Sequence, residues 1–390
     1  MSNFTIILNI ENWKAPTIER VIERVEVKNK EKNKAKENQR WINEGELKPV
    51  DIYCYLKARF GEPNGYTMVA KSSDSDNIIH WHYSIEIESQ VLEILQTNSS
   101  LEIIIDIGKI TENQWNELIN TIKKDYKNFG KEMSEIRKSL EKWTMFVNPF
   151  NRLNEIIETL ELRLKKLDLA EPIRPKLMIK RYVRRHLDEK EKWFENLAEA
   201  RLIGASIRML APVLAESFIN LVIFLLAKGE VKSDKRVYED LIRKQIDIRV
   251  KSLSFYCDYF IKKVEDEDIE LKKFLSLMNS RNDFLHGNVD PLRFKSQEVY
   301  FDNNIPLFND EKSLQNRLGL DSIRYIEPAE ALNDIQVVRE FVNYLLSHIA
   351  PEARGKLEIL MKDSRPGWRE DVGEVGSLFP NKIAEFFPFQ

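Results

Sequence analysis

The period of the hydrophobic and polar positions changes about a third of the way along the chain. Up to about residue 130, β-branched and aromatic residues alternate with polar ones, which predicts strands at residues 4–10, 51–60, 66–70, 78–87 and 101–107. Residues 61–65, Gly-Glu-Pro-Asn-Gly, predict a turn. From Thr111 onward the apolar residues recur every three or four positions, which predicts long helices interrupted near Pro149.

The second half of the chain has the pattern of a helix bundle. We predict helices at residues 191–228, with a kink or break at Pro212, and at 234–263, about 268–286 and about 332–349. An irregular or strand-like excursion between residues 291 and 328 is unusually long for a bundle loop. The fold class is therefore α+β and predominantly α. The expected domains are a mixed α/β domain at 1–130, a helical connector at 131–180, a bundle at 181–363 and a tail at 364–390.

One cation interrupts the apolar stripe of the third bundle helix. The stripe consists of Leu271, Phe274, Leu275 and Met278. Continued at helical spacing, it reaches Arg281, where a core residue is expected. Arginine is rarely buried without a partner, because removing a guanidinium from water is costly unless the charge is paired. A polar break at this position therefore indicates either a partner or a function.

Arg281, Asn282 and His286 resemble the motif of the HEPN superfamily of helical domains. Its ribonucleolytic members carry Arg, four to six residues and then His, with a polar residue directly after the Arg. The resemblance implies a HEPN-like bundle in the C-terminal half, with Arg281, Asn282 and His286 as catalytic residues. It also implies metal-independent cleavage of RNA that leaves a 2′,3′-cyclic phosphate and a 5′-hydroxyl. A second Arg-x4-His pattern, Arg181 to His186, has no apolar stripe leading into it.

The residue types of the motif suit this chemistry. Cleavage of RNA by its own 2′-hydroxyl needs proton transfer near neutral pH, which histidine supplies, and stabilisation of a phosphorane, which a guanidinium supplies. Asn282 would orient the imidazole or hold a phosphate oxygen. A structural alternative is that His286 and Gly287 merely end the helix, as a cation at its negative end and a left-handed cap. This alternative leaves Arg281 unexplained.

Basic residues cluster just before the predicted bundle, although the net charge of the chain is −3 and gives no global nucleic-acid signature. Lys180, Arg181, Arg184 and Arg185, together with Arg174 and Lys176, predict a substrate-binding surface for RNA. The competing interpretation is an ordinary solvated helix face. The run at residues 28–40 is likewise either a solvated segment or an RNA-contacting arm.

No residue spacing predicts a metal or a cofactor. Cys54 and Cys257 are far apart, and His80 and His82 share one side of a strand without further ligands. The acidic run at 265–268 is better explained as the start of a helix than as a magnesium site. With no signal pattern, and with an apolar run at 218–227 too short to span a membrane, we expect a cytoplasmic protein without membrane contact.

Three functions are compatible with these patterns. The first is an endoribonuclease acting as a toxin or antiviral defence effector, with RNA as substrate and a possible antitoxin or trigger protein as partner. We expect it to be a homodimer through the C-terminal bundle, with the two motifs facing each other. The second is a non-catalytic HEPN-like module that binds nucleotide, RNA or a partner protein. The third is a helical adaptor whose Phe-rich tail at 386–390 makes the contacts.

Overall fold

The computed structural model describes residues 3–17, 39–65, 78–88, 90–105, 107–173, 179–286, 298–308 and 328–378. They form a mixed α+β protein that is mostly helical, as predicted. The described chain divides into two compact units between Lys142 and Trp143. The expected connector at 131–180 is divided between them, since its first residues belong to the first unit and the helix after Pro149 belongs to the second.

The first unit is built around a four-stranded antiparallel sheet in the order β1-β4-β3-β2. Its strands are β1 (Gln39–Ile42), β2 (Ile79–Ile87), β3 (Gln90–Thr97) and β4 (Leu101–Ile105). The strands predicted at 78–87 and 101–107 are thus confirmed, and β1 and β3 were not predicted. One face of β2 buries Tyr83, Ile85 and Ile87 because side chains alternate along a strand.

Helices cover this sheet, and two of them replace predicted strands. The helices are α1 (Asn3–Leu8), α2 (Pro49–Phe60), α3 (Glu112–Asp125) and α4 (Gly130–Ser139). The strand predictions at 4–10 and 51–60 were wrong, because α2 buries Ile52, Tyr55 and Leu56 at helical spacing. Pro49 fits the first turn of α2, where its missing N–H costs nothing, and Gly61 ends the helix with a φ of 80°. The strand predicted at 66–70 lies outside the described residues.

The second unit is mostly helical, with a three-stranded sheet and a hairpin. Its helices are α5 (Pro149–Lys166), α6 (Lys180–Leu226), α7 (Gly229–Ser233), α8 (Lys235–Arg243), α9 (Ile246–Tyr256), α10 (Ile269–His286), α11 (Pro328–Ser347) and α12 (Pro351–Lys362). Its strands are β5 (Thr144–Met145), β6 (Val299–Asp302), β7 (Ile305–Phe308), β8 (Gly367–Arg369) and β9 (Glu374–Gly376). β5, β8 and β9 form one sheet and β6 and β7 a hairpin, the described part of the predicted excursion.

Several helix boundaries of the second unit differ from the predictions. α6 is continuous through Pro212, so of the predicted kink or break only the break is wrong. The helix predicted at 234–263 is two helices, α8 and α9. The helix predicted at about 268–286 is confirmed as α10, and α11 ends within two residues of the predicted end at 349. Asn148 explains the start of α5, because its buried side chain accepts hydrogen bonds from the first turn and donates to the carbonyl of Leu360.

The core of the second unit holds α10 in place. Phe274 of α10 stacks on Phe341 of α11, with ring centroids 4.0 Å apart. α6 supplies the largest share of the core, including Phe218, Ile219 and Val222. By length and composition α6 is the one helix among the described residues that would reach across a membrane, but half of its most apolar stretch is buried in this unit. The core helix of a soluble protein has the same properties, so this is weak support for a membrane span.

Candidate functional site

The motif helix α10 has a defined beginning. The Asp268 carboxylate accepts hydrogen bonds from the backbone N–H of Glu265 and from the hydroxyl of Tyr344 on α11. The bond from Tyr344 is the main reason why the pKa of Asp268 lies below its ordinary value. The carbonyl of Asp268 accepts the N–H of Lys272 in the first turn. The acidic run is therefore a helix start, as predicted.

Arg281 lies on the buried face of α10, as the stripe predicts. Leu271, Phe274, Leu277 and Met278 are all buried, and Arg281 follows Met278 by three positions and Leu277 by four. The arginine is half-buried. Its Nε atom is buried and has no hydrogen-bond partner among the described residues. The Nε–H group of Arg281 is thus a strong, desolvated donor that could bind an acceptor other than the described residues, such as a ligand.

Asn282 contacts the arginine directly. The Arg281 Nη1 group donates to the Oδ1 atom of Asn282 at 3.0 Å. This contact fixes the amide with its oxygen toward the guanidinium, so the Nδ2 group of Asn282 points its donors elsewhere. Asn282 also lines an open cleft of about 580 Å³ along one face of α10, with Lys272, Ser276, Asn279 and Asp283. The cleft offers amides, a hydroxyl, one cation and one carboxylate to a ligand on this face.

His286 is the last residue of α10, and its side chain is exposed. No hydrogen bond joins it to Asn282 or Arg281 within the described part of the chain. Within the described residues the structure therefore brings Arg281 and Asn282 into contact but joins the imidazole of His286 to neither. Gly287, which the sequence suggests as the cap, lies outside the described residues.

A second polar group lies on α11, the helix that packs beside α10. α10 and α11 run antiparallel, since Lys273 pairs with Glu340 at 3.1 Å and Asp268 is bonded to Tyr344. Phe274 of α10 stacks on Phe341 of α11. Arg281 follows Phe274 by seven residues, or about two helical turns, and Asp334 precedes Phe341 by the same number. Arg281 and Asp334 are thus level with each other on neighbouring helices.

Asp334 pairs with Arg208 of α6, at 3.1 Å from its Nε, and Arg208 also binds Glu330 at 2.6 Å. Two effects on the pKa of Asp334 oppose each other: Arg208 lowers it, but burial raises it more, to about 6. Burial prevails because Asp334 is only 8% exposed, whereas Arg208 is shared with Glu330 and partly solvated.

The predicted RNA-binding residues lie far along α6 from this level. Lys180, Arg181, Arg184 and Arg185 are exposed in the first turns of the helix, and Arg174 and Lys176 lie outside the described residues. Arg185 precedes Arg208 by 23 residues, which is roughly 35 Å along a helix axis. The cluster and Arg281 of one chain therefore do not meet at one phosphate.

Other candidates of the sequence have structural roles. His82 is buried against Gly65, whose N–H donates to the His82 carbonyl at 3.0 Å and whose missing Cβ leaves room for the imidazole. Within the described ranges no group of three or more His, Cys, Asp or Glu side chains is arranged to hold a metal ion. The run at 28–38 and the aromatic tail lie outside those ranges. Cys54 and Cys257 are buried free thiols.

Sequence reasoning also missed a buried arginine in the second unit. Arg249 of α9 donates to Glu216 and Asn220 of α6 at 3.0 and 3.1 Å, and to the carbonyl of Lys244 at 2.9 Å. The signal was Asn220 inside the apolar run at 218–227, four positions after Glu216 on the same face.

No protein-family model, curated protein or solved structure gives a match to this chain. Functional inference therefore starts from the geometry of α10 and its neighbours.

Proposed function

We propose that the chain is a metal-independent endoribonuclease in which Arg281, Asn282 and His286 act on the phosphate to be cleaved. The observation that carries the proposal is the half-buried Arg281, held by Asn282 with a buried Nε group that has no acceptor among the described residues. A guanidinium arranged in this way is suited to bind a phosphate oxygen, since it has been desolvated and orientated in advance.

The three residues then have separate roles. Arg281 binds the non-bridging oxygens and stabilises the charge that develops on the phosphorane. Asn282 holds the guanidinium and presents its Nδ2 donors to the RNA. His286, exposed one turn beyond, takes the proton of the attacking 2′-hydroxyl or returns one to the leaving 5′-oxygen. The HEPN-like fold of this unit and a role as a toxin or defence effector belong to the same proposal, and they rest on the resemblance of Arg281, Asn282 and His286 to the HEPN motif.

The proposed homodimer supplies what a single motif lacks. One motif carries one imidazole, whereas proton removal and proton donation at one phosphate are better served by two. The roughly 35 Å between the basic cluster and the level of Arg281 is compatible with this dimer and does not by itself require it. Either the cluster holds a distant part of the same RNA, or it serves the site of the other subunit.

A binding module is the second candidate function. It is favoured by the exposure of His286 and by the lack of an orienting hydrogen bond to its imidazole among the described residues. Catalytic histidines are usually orientated by a neighbour, whereas a histidine that contacts bound RNA or nucleotide needs no such partner. The two functions differ in whether RNA is cut.

The deciding experiment incubates the purified protein with RNA in excess EDTA and maps the new ends. We expect cleavage that leaves a 2′,3′-cyclic phosphate and a 5′-hydroxyl, and loss of cleavage in His286→Ala. The matched control is His186→Ala, which removes the histidine of the other Arg-x4-His pattern and should cleave as the unaltered protein does. Binding of RNA without cleavage would replace the enzyme by the binding module.

A second experiment addresses the dimer. Light scattering gives the mass, and mixing Arg281→Ala with His286→Ala subunits tests whether two chains share a site. Recovery of activity in the mixture is expected from a composite site. An active monomer would exclude it.

A further inference from the structure

The polar face of α10 continues from the motif toward the start of the helix. It lines the open cleft of about 580 Å³, whose lining consists of Lys272, Leu275, Ser276, Asn279, Asn282 and Asp283. Asn282 belongs to both regions, because it accepts a hydrogen bond from Arg281 and also lines the cleft. An RNA strand whose phosphate is bound at Arg281 would therefore have a neighbouring nucleotide at this cleft.

Asn279 is an exposed residue of the cleft lining. It lies three positions before Asn282 on the same face of α10, which places the two Cβ atoms roughly 5–6 Å apart. The amide of Asn279 makes no hydrogen bond within the described part of the chain. The hydroxyl of the next residue, Ser280, donates instead to the carbonyl of Ser276. Within the same described residues, nothing occupies the acceptor or the two donors of the Asn279 amide.

The helix itself does not explain an asparagine at this position. Asparagine has a lower helix propensity than alanine, lysine or glutamate, because its side chain competes for backbone hydrogen bonds in other conformations. Asn279 lies inside α10, which ends at His286, so it does not cap the helix. Asn282 is explained by its contact with Arg281. No described contact of this kind explains Asn279, which points to a ligand.

Charge does not select the ligand of the cleft. Lys272 and Asp283 bring one charge of each sign to its lining. Its other polar groups are amides and a hydroxyl, and half-buried Leu275 adds an apolar surface. An apolar surface next to an amide suits a nucleobase, because a base offers a flat face for contact and hydrogen-bonding groups along its edges.

We propose that Asn279 reads the base next to the phosphate that is cleaved, and that this base is adenine. A carboxamide binds adenine with two hydrogen bonds, one accepted from the N6 amino group and one donated to N7. Arginine and lysine bind guanine in the corresponding way, and a carboxylate accepts from the amino group of cytosine. The inference rests on the proposed function for the place of the phosphate. It makes Asn279 a residue that determines specificity.

The probes are octanucleotides of adenosine, uridine or cytidine with 2′-O-methyl groups, which cannot be cut by attack of a 2′-hydroxyl. Fluorescence anisotropy measures their binding to the full-length protein. The adenosine probe should bind about tenfold more tightly than the other two, as one bidentate contact provides. Asn279→Ala should lower the affinity for adenosine to that for uridine. Asn279→Asp should prefer cytidine, because a carboxylate accepts from its amino group.

The matched control is Asn343→Ala, which removes an exposed asparagine of α11 and should keep the preference for adenosine. Alanine has a higher helix propensity than asparagine, so Asn279→Ala should melt no lower than the unaltered chain. Equal affinity of the unaltered protein for the adenosine and cytidine probes would overturn the inference. A preference for adenosine that persists in Asn279→Ala would do the same.

Cleavage is measured separately from binding. The cuts that the unaltered protein makes in total RNA should lie next to adenine, and Asn279→Ala should lose this preference. Adenosine-selective binding without any cleavage would refute the ribonuclease and keep the base contact of Asn279. Cleavage next to all four bases alike would refute the base contact and keep the ribonuclease.

Discussion

Arg249 and Arg281 both stand on the core-facing side of a helix in the second unit, and their surroundings differ. Arg249 is 6% exposed, and all three of its side-chain nitrogens donate to acceptors on α6 or at the end of α8. Arg281 is half-buried, makes one bond to its neighbour Asn282, and keeps a buried Nε without a described acceptor. The first arginine stabilises the fold, whereas the second is the one that we propose binds a phosphate.

The largest effect should come from Arg281→Lys. Lysine keeps the charge but loses the planar fork that binds two phosphate oxygens, so we expect RNA cleavage to fall by about 10²–10³-fold. The measurement is the initial rate of cleavage under conditions in which the protein is folded. Arg236→Lys on the exposed surface of α8 is the control and should keep full activity. If Arg281→Lys cleaves RNA within twofold of the rate of the unaltered protein, the guanidinium of Arg281 is not needed for catalysis.

Arg249→Met should mainly reduce stability. The substitution removes bonds to Glu216, Asn220 and Lys244 and leaves Glu216 as a partly buried charge without its partner. We expect the free energy of unfolding to fall by about 2–4 kcal/mol, measured in urea. Arg236→Met should change it by less than about 0.5 kcal/mol. If Arg249→Met is as stable as Arg236→Met, the hydrogen bonds of Arg249 do not stabilise the fold.

The protonation of Asp334 should make the free energy of unfolding depend on pH. Its pKa is raised in the folded protein to about 6, so folding binds a proton between the ordinary carboxyl pKa and that value. The stability associated with Asp334 is thus complete below about pH 4 and is lost as the pH rises through about 6, by roughly 1–3 kcal/mol. Asp334→Asn should flatten this part of the curve of unfolding free energy against pH. An unchanged slope in the variant would show that another group titrates there.

The smallest effect should be that of Arg281→Met on stability. Only the bond to Asn282 is lost, and a buried donor without a described acceptor is removed at the same time. We expect the free energy of unfolding to change by less than about 1 kcal/mol, in either direction. Urea unfolding beside Arg249→Met measures it. A loss as large as that of Arg249→Met would mean that Arg281 has structural partners of its own.

The amphipathic period of the sequence by itself determined where several helices of the second half lie and which of their faces are buried. Leu271, Phe274 and Met278 repeat at helical spacing, and the acidic residues before them mark the beginning of α10, so local pattern was sufficient to place this helix and Arg281 on its buried face. In the first unit the same pattern analysis predicted strands where the structure has the helices α1 and α2. Their short runs of aromatic and β-branched residues fit both periods, and only packing against the sheet decides between them.

Tertiary structure alone decided which polar side chains meet. Asp334 and Arg208 are 126 positions apart in the chain, and nothing local in either helix predicts their ion pair or the raised pKa of the carboxyl. For Arg249, Asn220 in the apolar run signals a buried polar group on α6, but only the packing of the helices selects Arg249 as its partner. Local pattern fixes the face on which a residue lies, because it depends on the backbone period. The partner depends on how whole helices pack, and that is a property of the complete core.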